Sequence, residues 1–296
     1  SYLCAAGVVF LTLVECGRQL KDSNQISPNL MDYLDLVALG TVADVAPLTG
    51  VNRAFVRQGL KILSNRMRLG LKLLIDKSGI NSSPTSYHLG YILGPKLNAP
   101  GRIGPADLAL RLLCSTSTSE ANDLCEQIEE LNTQRREIEN ITREQALTQI
   151  DKSQSENSII WAASEGWHPG VVGIVASRLK DKFNKPSIVI GFDGIDGKGS
   201  GRSVDGYDLG HAIQRLQREG LIQKGGGHKM AAGLSLKMEQ LKPAMDRLCE
   251  LAGKAKIANA EAQELLVDGI IFIPAAKIDL IEELENCGPF GSAIRE

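Results

Sequence analysis

The sequence predicts an α/β protein of two lobes, which a long helix connects. Three observations predict it. The chain has 296 residues, more than most single hydrophobic cores organise, so two domains are expected. Residues 119–152 contain neither glycine nor proline and are rich in charged and long side chains, which favours one continuous helix. Beyond residue 154, apolar runs of strand length alternate with amphipathic stretches, as in a sheet covered by helices.

The first lobe is predicted to be mainly helical. The apolar run at residues 35–48 ends in an acid and a proline, so it is either a buried strand or a short buried helix that delivers a carboxylate. Residues 93–105 are rich in glycine and proline and predict a loop. Helices are predicted at residues 1–20, 52–63, 66–75, 84–92 and 106–113.

The second lobe is predicted to contain a strand–helix–strand unit. Residues 158–163 and 186–192 have the length and apolar character of strands, and residues 171–183 between them have helical spacing. Such a unit makes its two strands parallel, with a right-handed crossover. Helices are also predicted at residues 208–218, 240–252 and 275–284, and strands at residues 231–236 and 265–272.

The net charge, the cysteines and the length of the apolar runs limit which kinds of protein this chain can be. The formal net charge is −2, whereas a nucleic-acid binder usually has a basic excess, so any such surface must be local. The six cysteines form no CxxC pair and lack histidines at zinc spacing, which indicates reduced thiols in a cytoplasmic protein. No apolar run reaches the ~20 residues that span a bilayer. The chain starts without Met and stops in a Gly- and Pro-rich stretch, so we expect a fragment of a longer polypeptide.

Two motifs of the first lobe carry candidate functional residues. Asp44 closes the segment GTVAD, where an acid is either a helix cap or turn former, or a metal ligand; spacing alone favours a cap or turn former. Asn98 lies beside Pro-Gly in LNAPGRIG, as in many turns. Arg102 follows in the same segment between two glycines, where a guanidinium can pair with phosphate oxygens.

Three motifs of the second lobe combine glycine with polar residues. The segment GKGSGRS at 197–203 predicts either a backbone anion nest or a hairpin turn, and its Ser200 and Arg202 favour phosphate. His168, in GWHPGVVG, precedes a helix N-terminus, which attracts anions. GGGHKMAAG at 225–233 is the strongest signal, because three glycines let a ligand approach the backbone beside His228.

Together these segments resemble the RecJ single-strand-specific 5′→3′ DNA exonucleases of the DHH phosphoesterase superfamily. Any one of them is weak, but five in the family's order are highly specific. The last resembles the signature of the DHH-associated domain, DHHA1. The matching stretches are LDLVALGTVADVAPL at 34–48, LGPKLNAPGRIG at 93–104, WHPGVVGIVASRL at 167–179, GKGSGRS at 197–203 and GGGHKMAAG at 225–233.

The resemblance implies metal-dependent hydrolysis of phosphodiesters. The family's catalytic domain binds two divalent ions, Mn²⁺ or Mg²⁺, through Asp and His side chains. Asp44 falls on the last of its acidic motifs, and the earlier ones are expected upstream of Ser1. His228 is implied as a further catalytic residue beside the metals.

The resemblance also implies a set of residues that contact DNA. Arg102, Ser200 and Arg202 are similar to the family's grip on a 5′-phosphate. The residues implied to contact DNA or its phosphates are Asn98, Arg102, His168, Ser200, Arg202, Gly226, Gly227 and His228.

The implied partner is single-stranded DNA with a 5′ end, degraded in repair and recombination by a monomeric protein. The fragment itself is expected to be inactive. Two alternatives stay open: an oligonucleotide or cyclic-dinucleotide phosphodiesterase of the same superfamily, and a non-catalytic nucleic-acid-binding scaffold. The implied domains are part of a DHH domain (1–118), the connecting helix (119–156), DHHA1 (157–256) and the start of an OB-type DNA-binding region (257–296).

Overall fold

The computed structural model describes residues 2–23, 26, 28–150, 155–255, 267 and 269–294. The chain divides into two compact units, residues 1–132 with 267–296, and residues 133–266. Helices and a five-stranded sheet make up these units, so the predicted α/β class is confirmed.

The α-helices and strands have the following bounds. The helices are α1 (Ala5–Asp22), α2 (Leu34–Ala43), α3 (Gly50–Ser64), α4 (Leu69–Lys77), α5 (Gly94–Ile103), α6 (Leu108–Cys114), α7 (Thr118–Gln149), α8 (Pro169–Phe183), α9 (Leu209–Arg218), α10 (Leu241–Lys254) and α11 (Ile278–Asn286). The strands are β1 (Ile160–Glu165), β2 (Ser187–Asp193), β3 (Asp196–Arg202), β4 (Lys224–His228) and β5 (Ala231–Lys237).

The first unit resolves the open alternative for residues 35–48, because the run forms the buried helix α2 and not a strand. The loop predicted at residues 93–105 is wrong, since α5 occupies most of it. Pro95 lies in the first turn of α5, where no N–H is needed, and Pro100 is accommodated inside the helix. Burial of Ala99 and Pro100 outweighs the poor helix propensity of this sequence.

The second unit is built on the sheet β1-β2-β3-β5-β4. Strands β1 and β2 are parallel and α8 connects them, which confirms the predicted strand–helix–strand unit. The other pairs are antiparallel. Apolar residues of α8 pack on Ile160 and Val189 on one side of the sheet, while α9 and α10 pack on Ile188 and Ile190 on the other.

The segment GKGSGRS forms most of strand β3, and its glycines allow close packing beneath the helices. The segment is a strand paired on both sides, with β2 and β5. Its glycines alternate and face the core beneath α9 and α10, where a Cβ at Gly199 would lie 2.8 Å from Ile190 Cγ1. A Cβ at Gly201 would lie 2.7 Å from Leu209 Cδ2. The glycines therefore serve close packing, and the prediction of a nest or turn is wrong.

The C-terminal residues belong to the first unit. The strand predicted at residues 265–272 is absent from residues 267 and 269–272, and the rest of that range lies outside the described residues. The predicted helix that follows appears as α11. Ser86 Oγ donates to Phe290 O at 2.7 Å, and Leu48 N donates to Ser292 O at 2.8 Å. The OB-type region at 257–296 stays a prediction.

The six cysteines are free thiols, as their spacing indicates. Cys125 lies in the core of the first unit, and its burial raises the pKa of the thiol to about 11. Within the part of the chain that the structure describes, no helix has both the length and the apolar character to cross a bilayer.

We expect Gly191→Ala to destabilise the second unit, because a Cβ there would lie 2.1 Å from the backbone oxygen of Trp167. Forcing an atom into such a packed position costs roughly 1–3 kcal/mol. Gly226→Ala is the matched control, since nothing lies within 4 Å of its added Cβ. Urea unfolding of both variants measures the difference, and equal midpoints would contradict this packing.

Candidate functional site

Asp44 is the C-cap residue of α2. The chain ends the helix with two backbone bonds, Val45 N to Val42 O at 3.0 Å and Ala46 N to Thr41 O at 3.1 Å. This is a Schellman arrangement, which normally places glycine where Val45 stands. Val45 has a φ of 55°, a strained conformation for a β-branched residue. Backbone strain of this kind clusters at functional sites.

The carboxylate of Asp44 lies at the negative end of the α2 dipole, where an anion destabilises a helix. The side chain is exposed and forms no hydrogen bond or ion pair with any residue that the structure describes. Asp35, the other carboxylate of α2, is buried and pairs with Arg68 through Nε at 2.8 Å and Nη2 at 3.2 Å. Asp35 is thus a structural residue. The carboxylate of Asp44, by contrast, would be stabilised by a bound cation.

Asn98 and Asp44 line the same pocket, of about 330 Å³, between α2 and α5. Asn98 is exposed on α5, and Arg102 follows it by four residues in the same helix. Side chains four residues apart lie on one face of a helix, about 5–6 Å apart at Cβ. The helix therefore directs Asn98 and Arg102 to the same side, where a loop would have left their relation undefined.

The residues that the structure describes do not by themselves form a complete metal centre. Over the described ranges, no group of three or more His, Cys, Asp or Glu side chains is placed to hold a metal ion. Asp44 fits such a site as a single oxygen ligand, of the type that Mg²⁺ and Mn²⁺ prefer. A two-ion site needs ligands beyond those described.

A pair of tyrosines that shares a pocket with Val45 was missed by the sequence reasoning. Tyr87 and Tyr91 stack with ring centroids 5.1 Å apart, and they are 59% and 75% exposed. Together with Val45 they line a pocket of about 610 Å³. The π-helix His88–Leu93 lies between α4 and α5, and such helices are frequent at functional sites. The four-residue spacing of the two tyrosines was the available signal.

In the second unit, alternation along β3 places Lys198, Ser200 and Arg202 on the side opposite the glycines. We call this side of the sheet the polar face. Arg202 Nη1 donates to Ser200 Oγ at 3.0 Å and to Gly201 O at 2.9 Å. A Cβ at Gly173 of α8 would lie 3.0 Å from Ser200 Oγ and 3.1 Å from Arg202 Nη2. The bare backbone of Gly173 therefore makes room for both side chains.

His168 is the N-cap of α8, and its Nδ1 accepts a hydrogen bond from Gly170 N at 3.0 Å. Capping is a sufficient structural reason for a histidine at this position. Because Nδ1 accepts, the neutral ring carries its proton on Nε2, which leaves one donor available. The half-buried His168 can thus cap the helix and still donate to a ligand.

The segment GGGHKMAAG forms a hairpin of β4 and β5, and the three glycines at its start differ in their contacts. A Cβ at Gly225 would lie 2.5 Å from Ile213 Cγ2, and one at Gly227 would lie 2.3 Å from Ala231 O. A Cβ added at Gly226 would have no atom within 4 Å, and it would project from the polar face into open space. Gly226 is therefore the glycine of the three that packing does not explain.

The strand register brings most of the predicted residues of the second unit onto the polar face. Residues directly opposite in antiparallel strands share a face, and the outer members of a three-strand row lie about 10 Å apart. Gly227 lies on the opposite face, so its predicted contact with DNA has no support from this geometry. The two rows are Arg202, Ala231 and His228, and Ser200, Gly233 and Gly226.

The fold and this face define a protein with a DHHA1 domain, whose family model matches residues 156–254, against the predicted 157–256. RecJ of Dickeya dadantii, a single-stranded-DNA-specific exonuclease, is 37% identical over 99% of this chain and 54% of its own length. The crystal structure of RecJ in complex with Mg²⁺ from Thermus thermophilus matches 98% of this chain and 44% of its own, with 30% identity and a TM-score of 0.85. The corresponding complex with Mn²⁺ matches at the same identity and TM-score, over 42% of its own chain.

Along nearly its whole length this chain is similar to RecJ exonucleases. It spans about half the length of the curated relatives that it matches.

Proposed function

We propose that the full-length protein hydrolyses single-stranded DNA from its 5′ end with the help of Mg²⁺ or Mn²⁺. The observation that carries the proposal is the similarity to RecJ exonucleases along 99% of this chain. The structure of RecJ with Mg²⁺ supports the choice of metal. A monomeric state and a cytoplasmic location remain predictions.

The proposed binding site for the 5′-phosphate is the part of the polar face beside α8. Ser200 and Arg202 supply a hydroxyl and a guanidinium that already contact each other, so little ordering is needed when an anion binds. His168 at the N-terminus of α8 adds a donor, and the positive end of the helix dipole favours the phosphate. In this proposal Asn98 and Arg102, which belong to the first unit, also contact the DNA.

His228 and Gly226 are proposed to face the substrate on the same side. The Gly226 backbone is bare, so a phosphate or sugar can approach it closely, and the exposed His228 donates to a phosphate oxygen. The turn that follows His228 is fixed, because Ser203 N donates to Met230 O at 2.9 Å and Leu209 N donates to Lys229 O at 3.1 Å. His228 therefore lies at the end of a rigid hairpin.

Asp44 is proposed as one carboxylate ligand of the metal site. Divalent ions, when bound, lower the pKa of a water molecule and neutralise charge on the phosphate under attack. The contribution of this chain is the fixed position of the carboxylate, which the strained end of α2 holds exposed beside Asn98.

The proposal is tested with full-length protein and DNA labelled at either end. We expect Mn²⁺-dependent release of nucleotides from the 5′ end of single strands and little from duplexes. Binding of single strands without any cleavage would instead favour a non-catalytic scaffold. Cleavage restricted to dinucleotides and short oligonucleotides would favour the other phosphodiesterases of the superfamily.

The 296-residue chain alone is expected to be inactive as a nuclease, because one carboxylate does not hold two divalent ions. The measurement is Mn²⁺-dependent release of nucleotides from single-stranded DNA by the purified chain, beside the full-length protein. Turnover that persists through purification and disappears in Asp44→Ala would contradict this expectation. That result would require a complete metal site within these residues.

A further inference from the structure

A third row of side chains continues the polar face beyond the proposed phosphate site. Lys198 of β3 pairs with Ser235 of β5, and Ser235 pairs with Lys224 of β4. We infer that Lys198, Ser235 and Lys224 bind a second, internal phosphate of the same DNA strand. This inference rests on the proposed function, since it takes Ser200 and Arg202 as the site of the terminal phosphate.

The spacing of the rows fits a sugar–phosphate backbone. Lys198 lies two residues before Ser200 on β3, so the two rows are about 6.7 Å apart along the strand. That distance is close to the separation of successive phosphates in an extended single strand. A DNA strand that runs along β3 from Ser200 towards Lys198 thus meets a second row of donors at the next phosphate.

The charges in this row are available to a ligand. Lys198 and Lys224 are exposed, and neither forms an ion pair with a residue in the described parts of the chain. The acid that ends this face, Asp196, is neutralised by Lys237, with Nζ and Oδ1 2.8 Å apart. The row therefore forms a local basic surface on a protein whose net charge is −2.

The centre of the face leaves space for a polymer. Gly226 has no atom within 4 Å of an added Cβ, and at Gly233 the nearest atom is Gly199 O at 3.9 Å. These two glycines separate the lysines of β3 and β4 from Arg202 and His228 at the far end of the face. A bare strip between cations fits a continuous backbone better than a single mononucleotide.

The test measures binding of single-stranded DNA to full-length protein in EDTA, so that no cleavage occurs. We expect Lys198→Ala and Lys224→Ala each to raise the Kd about tenfold. Each should also lower the slope of log Kd against log salt by about 0.7, the value for one phosphate contact in a single strand. Lys242→Ala is the control, because this exposed lysine pairs with Asp246 and belongs to α10, which packs on the other side of the sheet.

A second arm identifies the phosphate. In a set of DNA strands, each phosphate linkage in turn is replaced by an uncharged methylphosphonate. We expect Lys224→Ala to raise the Kd for every strand of the set except one, in which the replaced linkage is the internal phosphate that Lys224 binds. The inference would be overturned if Lys198→Ala, Lys224→Ala and Lys242→Ala lost affinity for DNA equally. It would also be overturned if no single methylphosphonate removed the effect of Lys224→Ala. If the wild-type protein cleaves single strands and neither Lys198→Ala nor Lys224→Ala changes the Kd or the salt slope, this inference alone is overturned. Wild-type protein that neither binds nor cleaves them overturns the proposed function as well.

Discussion

Asp44→Ala in the full-length protein is expected to lower the kcat for nucleotide release by at least about a hundredfold, since a catalytic divalent ion contributes several kcal/mol to the transition state. Binding of single-stranded DNA should change little, because affinity depends mainly on contacts to phosphates. The protein should fold normally. Asp44 forms no side-chain bond within the described residues, and its carboxylate opposes the dipole of α2.

The control for Asp44→Ala is Asp123→Ala, which removes an exposed carboxylate from α7 in the same unit. Rates at several Mn²⁺ concentrations separate loss of a metal ligand from a general loss of charge. A partial recovery at high Mn²⁺ in Asp44→Ala supports the assignment as a ligand. Near wild-type rates at every concentration would leave Asp44 as a residue that ends a helix.

The parts of the fold that sequence predicted well have local causes. The unit β1–α8–β2 was predicted because two apolar runs flank a helical pattern, and each of these signals lies within a few residues. The long helix, predicted for residues 119–156, is observed as Thr118–Gln149, with residues 151–154 outside the described ranges. Element type follows from local pattern, whereas the ends depend on capping and neighbours.

The glycine-rich segments were misassigned for a non-local reason. Glycine in GKGSGRS was taken as a mark of turns or anion nests, although here it allows Leu209 and Ile190 to pack on β3. Such contacts join residues that are far apart in sequence, so one sequence without its fold does not reveal them. Gly226 differs, since no contact explains it, and only the register separates it from Gly225 and Gly227.

The sequence predicted which residues belong to the candidate site, but it did not predict which of them lie close together. Asn98 and Arg102 become a pair only because residues 94–103 are helical, and Asp44 joins Asn98 only through the packing of α2 and α5. On β3, period-two alternation assigns Ser200 and Arg202 to one face and adds Lys198 to them. The sequence reasoning did not weigh Lys198, because it treated the segment as a turn.

The second large effect is expected for Arg202→Ala, and it depends on the end of the DNA. A charge-assisted hydrogen bond to phosphate contributes roughly 1.5–3 kcal/mol, so kcat/KM for 5′-phosphorylated strands should fall about tenfold or more. Strands with a 5′-hydroxyl lack the terminal dianion and should be affected little. Arg202 and Ser200 hold each other beneath Gly173, so the site exists before the ligand arrives.

The control for Arg202→Ala is Arg218→Ala, which removes an exposed guanidinium from α9, on the other side of the sheet. Both variants and the wild type are compared on the two kinds of end at several salt concentrations. A merely basic surface would lose affinity equally for both ends and would reduce the salt dependence. Equal losses on both substrates would make Arg202 a general contact to the DNA backbone, and the proposed recognition of the 5′-phosphate would then be wrong. Selective loss on phosphorylated ends, absent in Arg218→Ala, supports a site that reads the end of the strand through Arg202.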